Sequence, residues 1–102
     1  MKLLTSFDVL RPSLLAQKAF HAHGLEAKLE QLREEMSEAI AAISHWKRGR
    51  AGALDEVAEE LADVLIVAEQ LMVVLDDDVS RWLALKRQAL FAKHIHVNAE
   101  DA

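Results

Sequence analysis

The chain has no cysteine, no tyrosine, one proline and three glycines in 102 residues. Without cysteine there is no disulfide, no thiolate nucleophile and no sulfur-ligated metal, which fits a reducing interior. With so little Gly and Pro the chain has few places to turn, and its Ala, Leu, Glu, Lys, Arg and Gln favour long helices over sheets. Positive charge is also short, with 12 Lys and Arg against 17 Asp and Glu and a net charge of -5. A nucleic-acid backbone needs a basic face, so nucleic acid is not the expected partner. Long hydrophobic runs are missing too. The start, MKLLTSFDVLRP, has no apolar stretch suited to a signal peptide, and the longest apolar run is interrupted by Glu69 and Gln70. No membrane partner and a cytoplasmic location are expected.

What is present is apolar in excess. At 52% hydrophobic, a chain this short carries more apolar surface than one small core readily buries, which points to a homodimer or homotetramer. The pattern predicts one domain over residues 1–102, an all-α antiparallel bundle of about four helices. Ser6 or Asp8 caps a first helix that runs to about Ala22, with Pro12 leaving its start open by a turn, and His23-Gly24 ends it. Leu25, Leu29, Leu32, Met36, Ile40 and Ile43 repeat at the helical period and give a second helix from Leu25 to Lys47. KRGRAG, residues 47–52, breaks the chain. Leu54, Val57, Leu61, Val64, Leu65, Ala68, Met72 and Leu75 form a third helix, starting near Asp55 and ending at Asp76-Asp77-Asp78. Its VLIVAEQLMVVL segment is apolar on more than one face, and the extra face is expected to meet another subunit. Asp77 or Asp78 caps a fourth helix that frays in HVNAEDA.

One phrase is written nearly twice: EEMSE at 34–38 and EELAD at 59–63. With Met36 and Leu61 each at the centre of an inward face, Glu35 and Glu60 fall on the margin of that face. Glu38 and Asp63 lie one step beyond, and Glu34 and Glu59 point away. Residues three apart on a helix are neighbours, so each pair can close on one ion, and an antiparallel hairpin would make all four converge. Two bare carboxylates about 5 Å apart repel by roughly 3 kcal/mol at an effective dielectric near 20. Such a cluster protonates, splays or takes up a cation, and hard oxygen ligands favour Mg²⁺ or Mn²⁺. A single E-x-x-E is most simply a solvated face pairing with Lys28 or Arg33; two copies at the same offset weaken that explanation. A di-iron bundle wants Glu-x-x-His, and none of His21, His23, His45, His94 or His96 has a glutamate three positions before it.

These residues, E-E-x-x-E at Glu34, Glu35 and Glu38 followed by E-x-x-D at Glu60 and Asp63, together with EELADVLI at 59–66, resemble the MazG branch of the all-α nucleoside triphosphate pyrophosphohydrolases over about residues 25–93. The resemblance implies that Glu35, Glu38, Glu60 and Asp63 bind Mg²⁺, with Glu34 a weaker candidate, and that Glu35 and Glu38 are catalytic. It implies cleavage of a nucleoside triphosphate between its α- and β-phosphates. There, Mg²⁺ would neutralise phosphate oxygens and acidify a water, while a carboxylate not spent on the metal accepts the proton. Lys47, Arg48 and Arg50, in the loop between the acidic helices, are candidate phosphate donors, and a solvated turn complementing the helix dipole is the plainer explanation. Lys86 and Lys93 match the outer positions of a pattern resembling K-x-x-x-N-x-x-[RK], with Leu90 in place of its Asn. Trp46 stands where some relatives stack a base, although packing accounts for it and for Trp82 more readily. Two other readings stay open: a non-catalytic helical interaction module, and a related enzyme acting on an alarmone or phosphoribosyl-ATP.

Overall fold

The structure is a computed structural model and describes residues 12–96. From Leu14 onward those residues are helical apart from one turn and a kink at Gly24: α1 is Leu14–Lys47, α2 is Ala53–Phe91, and a short wider turn, Ala92–His96, follows. The all-α expectation holds, but two long helices stand where the sequence pattern predicts four.

The difference lies mainly at Asp76-Asp77-Asp78, where α2 continues without a break. Aspartate is a cap former only where the backbone also leaves the helix, and no Gly or Pro stands there to make it leave. The carboxylates are instead satisfied on the helix surface: Ser80 Oγ donates to Asp76 Oδ1 at 3.2 Å, and Arg81 Nη2 to Asp78 Oδ1 at 3.4 Å.

The predicted boundary at Gly24 is real but appears as a bend inside α1. Gly24 has φ 85° and ψ 173°, a conformation open to glycine and costly for other residues. A straight α1 in the register set by His45 and Glu56 would carry Ser13 opposite Gln88. The kink at Gly24 takes the chain off that line and Ser13 meets Glu69 instead, its backbone N and its Oγ both donating to Oε2 at 3.1 and 2.8 Å. Ser13 also caps α1, accepting from Ala16 N at 3.1 Å. The Ser6 or Asp8 cap and the end from Val97 onward lie outside the described residues.

The turn follows the predicted break. Gly49 and Gly52 take left-handed φ of 75° and 74°, and Gly49 N and Arg50 N donate back to the carbonyls of Trp46 and His45. α2 then starts at Ala53, two residues before Asp55, with Asp55 and Glu56 in its first turn facing the positive end of the helix.

The buried apolar set is small: Ala16, Phe20, Ala42, Ala53, Val67, Leu71 and Met72. Most of the predicted inward stripe is not in it. Leu25, Leu29, Met36, Ile40 and Ile43 on α1, and Leu61 and Leu65 on α2, are all about half exposed. Met36 and Leu61 are therefore not at the centre of the α1–α2 contact, which lies instead on the strip through Glu35, Ala42 and His45. The radius of gyration is 16.9 Å, against about 12–13 Å for a compact domain of this length. No helix among the described residues is long and apolar enough to cross a membrane.

Candidate metal centre

Glu35 and Glu38 stand one turn apart on α1, Glu60 and Asp63 one turn apart on α2, and the hairpin brings the two pairs face to face. One carboxylate oxygen from each of the four lies within 4.8 Å of all the others. Glu35, Glu60 and Asp63 are half-buried and Glu38 is exposed. Glu34 and Glu59 are exposed and stand outside the group. Ala42, one turn beyond Glu38, is fully buried; its small side chain lets the helices approach beside the cluster.

The local electrostatics are those of an uncompensated acid cluster. Burial pushes the Glu35 carboxyl above its ordinary value, and the charges of Glu38 and Asp63, a hydrogen bond with Glu38 and the charge of Glu34 push the same way. Glu60 is raised first by burial, then by a hydrogen bond with Glu38 and by the charges of Glu38, Asp63 and Glu59. Every one of these causes disfavours the charged form, so the cluster gains from any positive charge placed within it. Glu35 Oε2 and Glu60 Oε2 are buried with no hydrogen-bond partner among the described residues, and a divalent cation would satisfy both. Four hard oxygens, two of them unpartnered, fit a divalent cation.

The solvated alternative asked for bases beside these acids, and the described residues do not supply them. Arg33 pairs with Glu30 at 3.7 Å, and Lys28 is buried with its Nζ on Gln31.

Toward the turn, His45 Nδ1 lies 2.9 and 3.2 Å from the two oxygens of Glu56, pinning the end of α1 to the start of α2. This pair went unremarked in the sequence; the available signal was a histidine and a glutamate at like distances either side of a glycine-bounded turn. Lys47, Arg48 and Arg50 are exposed on that turn, with Lys47 about 13 Å along α1 from Glu38. Trp46 is 51% exposed beside them. Lys86 is not brought to the cluster within this chain: it stands about 34 Å beyond Asp63 along α2, its Nζ 5.9 Å from the Trp82 ring. Lys93 is exposed beyond the end of α2.

Residues 14–96 match the family model described as the MazG nucleotide pyrophosphohydrolase domain. No curated protein and no solved structure matches the chain. The match spans most of the sequence, so the chain belongs to the MazG family, and its acidic cluster can coordinate a divalent cation.

Proposed function

We propose that this member of the MazG family is a cytoplasmic, Mg²⁺-dependent nucleoside triphosphate pyrophosphohydrolase, working as one domain in a homodimer or homotetramer. The observation that carries the reading is the convergence of Glu35, Glu38, Glu60 and Asp63 in a chain whose family description is nucleotide pyrophosphohydrolase.

The four carboxylates would hold the cation, which Mn²⁺ can replace. When bound it supplies charge neutralisation of the phosphate oxygens and acidification of water. The chain's own residues do the rest. A carboxylate oxygen of Glu35 or Glu38 not spent on the cation accepts the proton of the attacking water. The water oxygen bonds to the α-phosphorus, the bond from that phosphorus to the bridging oxygen breaks, and pyrophosphate leaves with the nucleoside monophosphate as co-product. Lys47, Arg48 and Arg50 meet the departing phosphates, and the Glu56 contact of His45 holds their turn in place. Trp46 offers an exposed ring face for a base. Lys86 reaches a site only if that site belongs to a second copy.

The second copy is argued from surface. Leu25, Leu29, Met36, Ile40, Ile43, Leu61 and Leu65 are about half exposed, as are Trp82, Leu85, Leu90 and Phe91 farther along α2. Soluble monomers seldom leave so much contiguous apolar surface in water. An identical hairpin offers a matching face, and an isologous pair buries both.

The direct test is pyrophosphate release from a panel of common and modified nucleoside triphosphates, with and without Mg²⁺. Turnover of at least one of them with Mg²⁺ and none without it is expected. Equal rates in Glu38→Gln, Asp63→Asn and the parent chain would sink the assignment of these residues.

A further inference from the structure

A cavity of about 340 Å³ opens on α1 beside the Gly24 bend, lined among the described residues by His23, Ala27, Lys28 and Gln31. Among the described residues Lys28 is the buried charged side chain, at 6% exposure. Its Nζ donates to Gln31 Oε1 at 2.9 Å, and among the described residues it makes no ion pair. An ammonium has three donors, so two lack a described partner. A buried charge held by one neutral amide is a costly arrangement that an anion would relieve.

The neighbours are of matching chemistry. With Gln31 Oε1 taken by Lys28, the remaining group of that amide is its NH₂, a donor. His23 adds a ring N–H at the exposed rim. No carboxylate lines the cavity among the described residues. Ala27 and Lys28 stand in the first turn after the Gly24 break, where the positive end of the following helical segment adds to the field. The volume leaves room for a phosphate or diphosphate with part of its hydration.

We propose that this cavity is an oxyanion site that binds a phosphate or diphosphate group through Lys28, Gln31 and His23 without a metal ion. It is distinct from the carboxylate cluster, because Lys28 stands about 10 Å before Glu35 along α1 and the bare cluster repels the anions that Lys28 attracts. The oxyanion can be free inorganic phosphate or pyrophosphate, or the terminal phosphate of a nucleotide. The inference does not rest on turnover, and either conclusion can fail alone.

The experiment uses the full chain in EDTA, where the carboxylate cluster cannot recruit an anion through a cation. Inorganic phosphate and pyrophosphate are titrated by calorimetry and by melting temperature into the parent chain, Lys28→Met and Gln31→Leu. General salt stabilisation acts alike on all three, and the differences between them isolate the cavity. The parent chain is expected to bind pyrophosphate and to melt at higher temperature with it, Lys28→Met at least tenfold more weakly. In anion-free buffer Lys28→Met should melt above the parent, having lost a buried charge with no ion pair among the described residues. Should that variant not fold, Gln31→Leu, which keeps the lysine, still reads the site through weakened binding. A non-hydrolysable triphosphate under the same conditions identifies the source: tighter binding than pyrophosphate marks a nucleotide's terminal phosphate, and equal or weaker binding marks the free anion. No response in the parent chain, or the same response in all three proteins, overturns the proposal.

Discussion

The inside and the outside of the α1–α2 hairpin are built the wrong way round for an isolated soluble domain. The contact between the helices holds four carboxylates within 4.8 Å, two of them with unpartnered buried oxygens, while Met36, Ile40, Leu61 and Leu65 stand about half exposed. Each side is unfavourable alone, by charge repulsion within and by hydrated apolar surface without. On the proposed function each would be relieved by adding something: a cation inside, a second hairpin outside. The comparison teaches that the proposed cation and the proposed second hairpin answer two separate costs of one chain.

The largest effect should come from breaking the inside. Glu38→Gln or Asp63→Asn is expected to lower Mg²⁺-dependent pyrophosphate release by about 10³-fold, equivalent to about 4 kcal/mol in the barrier, measured as kcat/KM against the parent chain. The outside should be nearly as sensitive. Replacing Leu85 or Trp82 by Asp removes an apolar contact worth about 1.5–3 kcal/mol per side chain, and sedimentation should show a lighter species with a concentration-dependent melt; an unchanged mass would reject this face as an interface.

Gly24→Ala tests whether the bend is needed to bring Ser13 back to α2. A Cβ there meets nothing within 4 Å, so the cost is backbone strain alone, about 1–3 kcal/mol, seen as a lower melting temperature. Next in size is His45→Ala, which unpins the turn and should cost about 1 kcal/mol with a rise in KM for the triphosphate that exceeds the fall in kcat. The mildest probe is pH. Glu35 and Glu60 are raised from an ordinary value of 4.5, so between that value and their raised ones the folded chain holds more protons than the unfolded chain. Metal-free protein should therefore gain stability as pH falls through this window and lose it as pH rises through the raised values. Saturating Mg²⁺ or Glu60→Gln should flatten that dependence in a thermal melt.

Much of the site was legible because helix geometry is regular. Glu38 and Asp63 stand equally far from the glycines that bound the turn, Glu35 lies one helical turn farther and Glu60 one nearer, so an antiparallel hairpin brings the four to one level. Gly24 and the 47–52 break were legible for the same reason, since glycine is where a helix can leave its path. The continuity of α2 through Asp76–Asp78 was not, because a capping residue marks a helix start only if the backbone departs there, and side-chain chemistry does not decide that. Nor was the facing of the apolar stripe: periodicity shows that Met36 and Ile40 share a side, and is silent on whether the neighbour on that side is α2 or another chain. The burial of Lys28 was hidden by its type, since a lysine on a helix is ordinarily a surface residue.

The two ties that hold the hairpin differ in how far along the chain they reach, and this bears on the order in which the protein forms. Ser13 and Glu69 are 56 residues apart, and His45 and Glu56 only 11. Short closures come first, because the entropy lost in joining two points grows with the length between them. Zipping outward from the turn, the chain would bring the span from Glu35 to Asp63 together before Ser13 arrives.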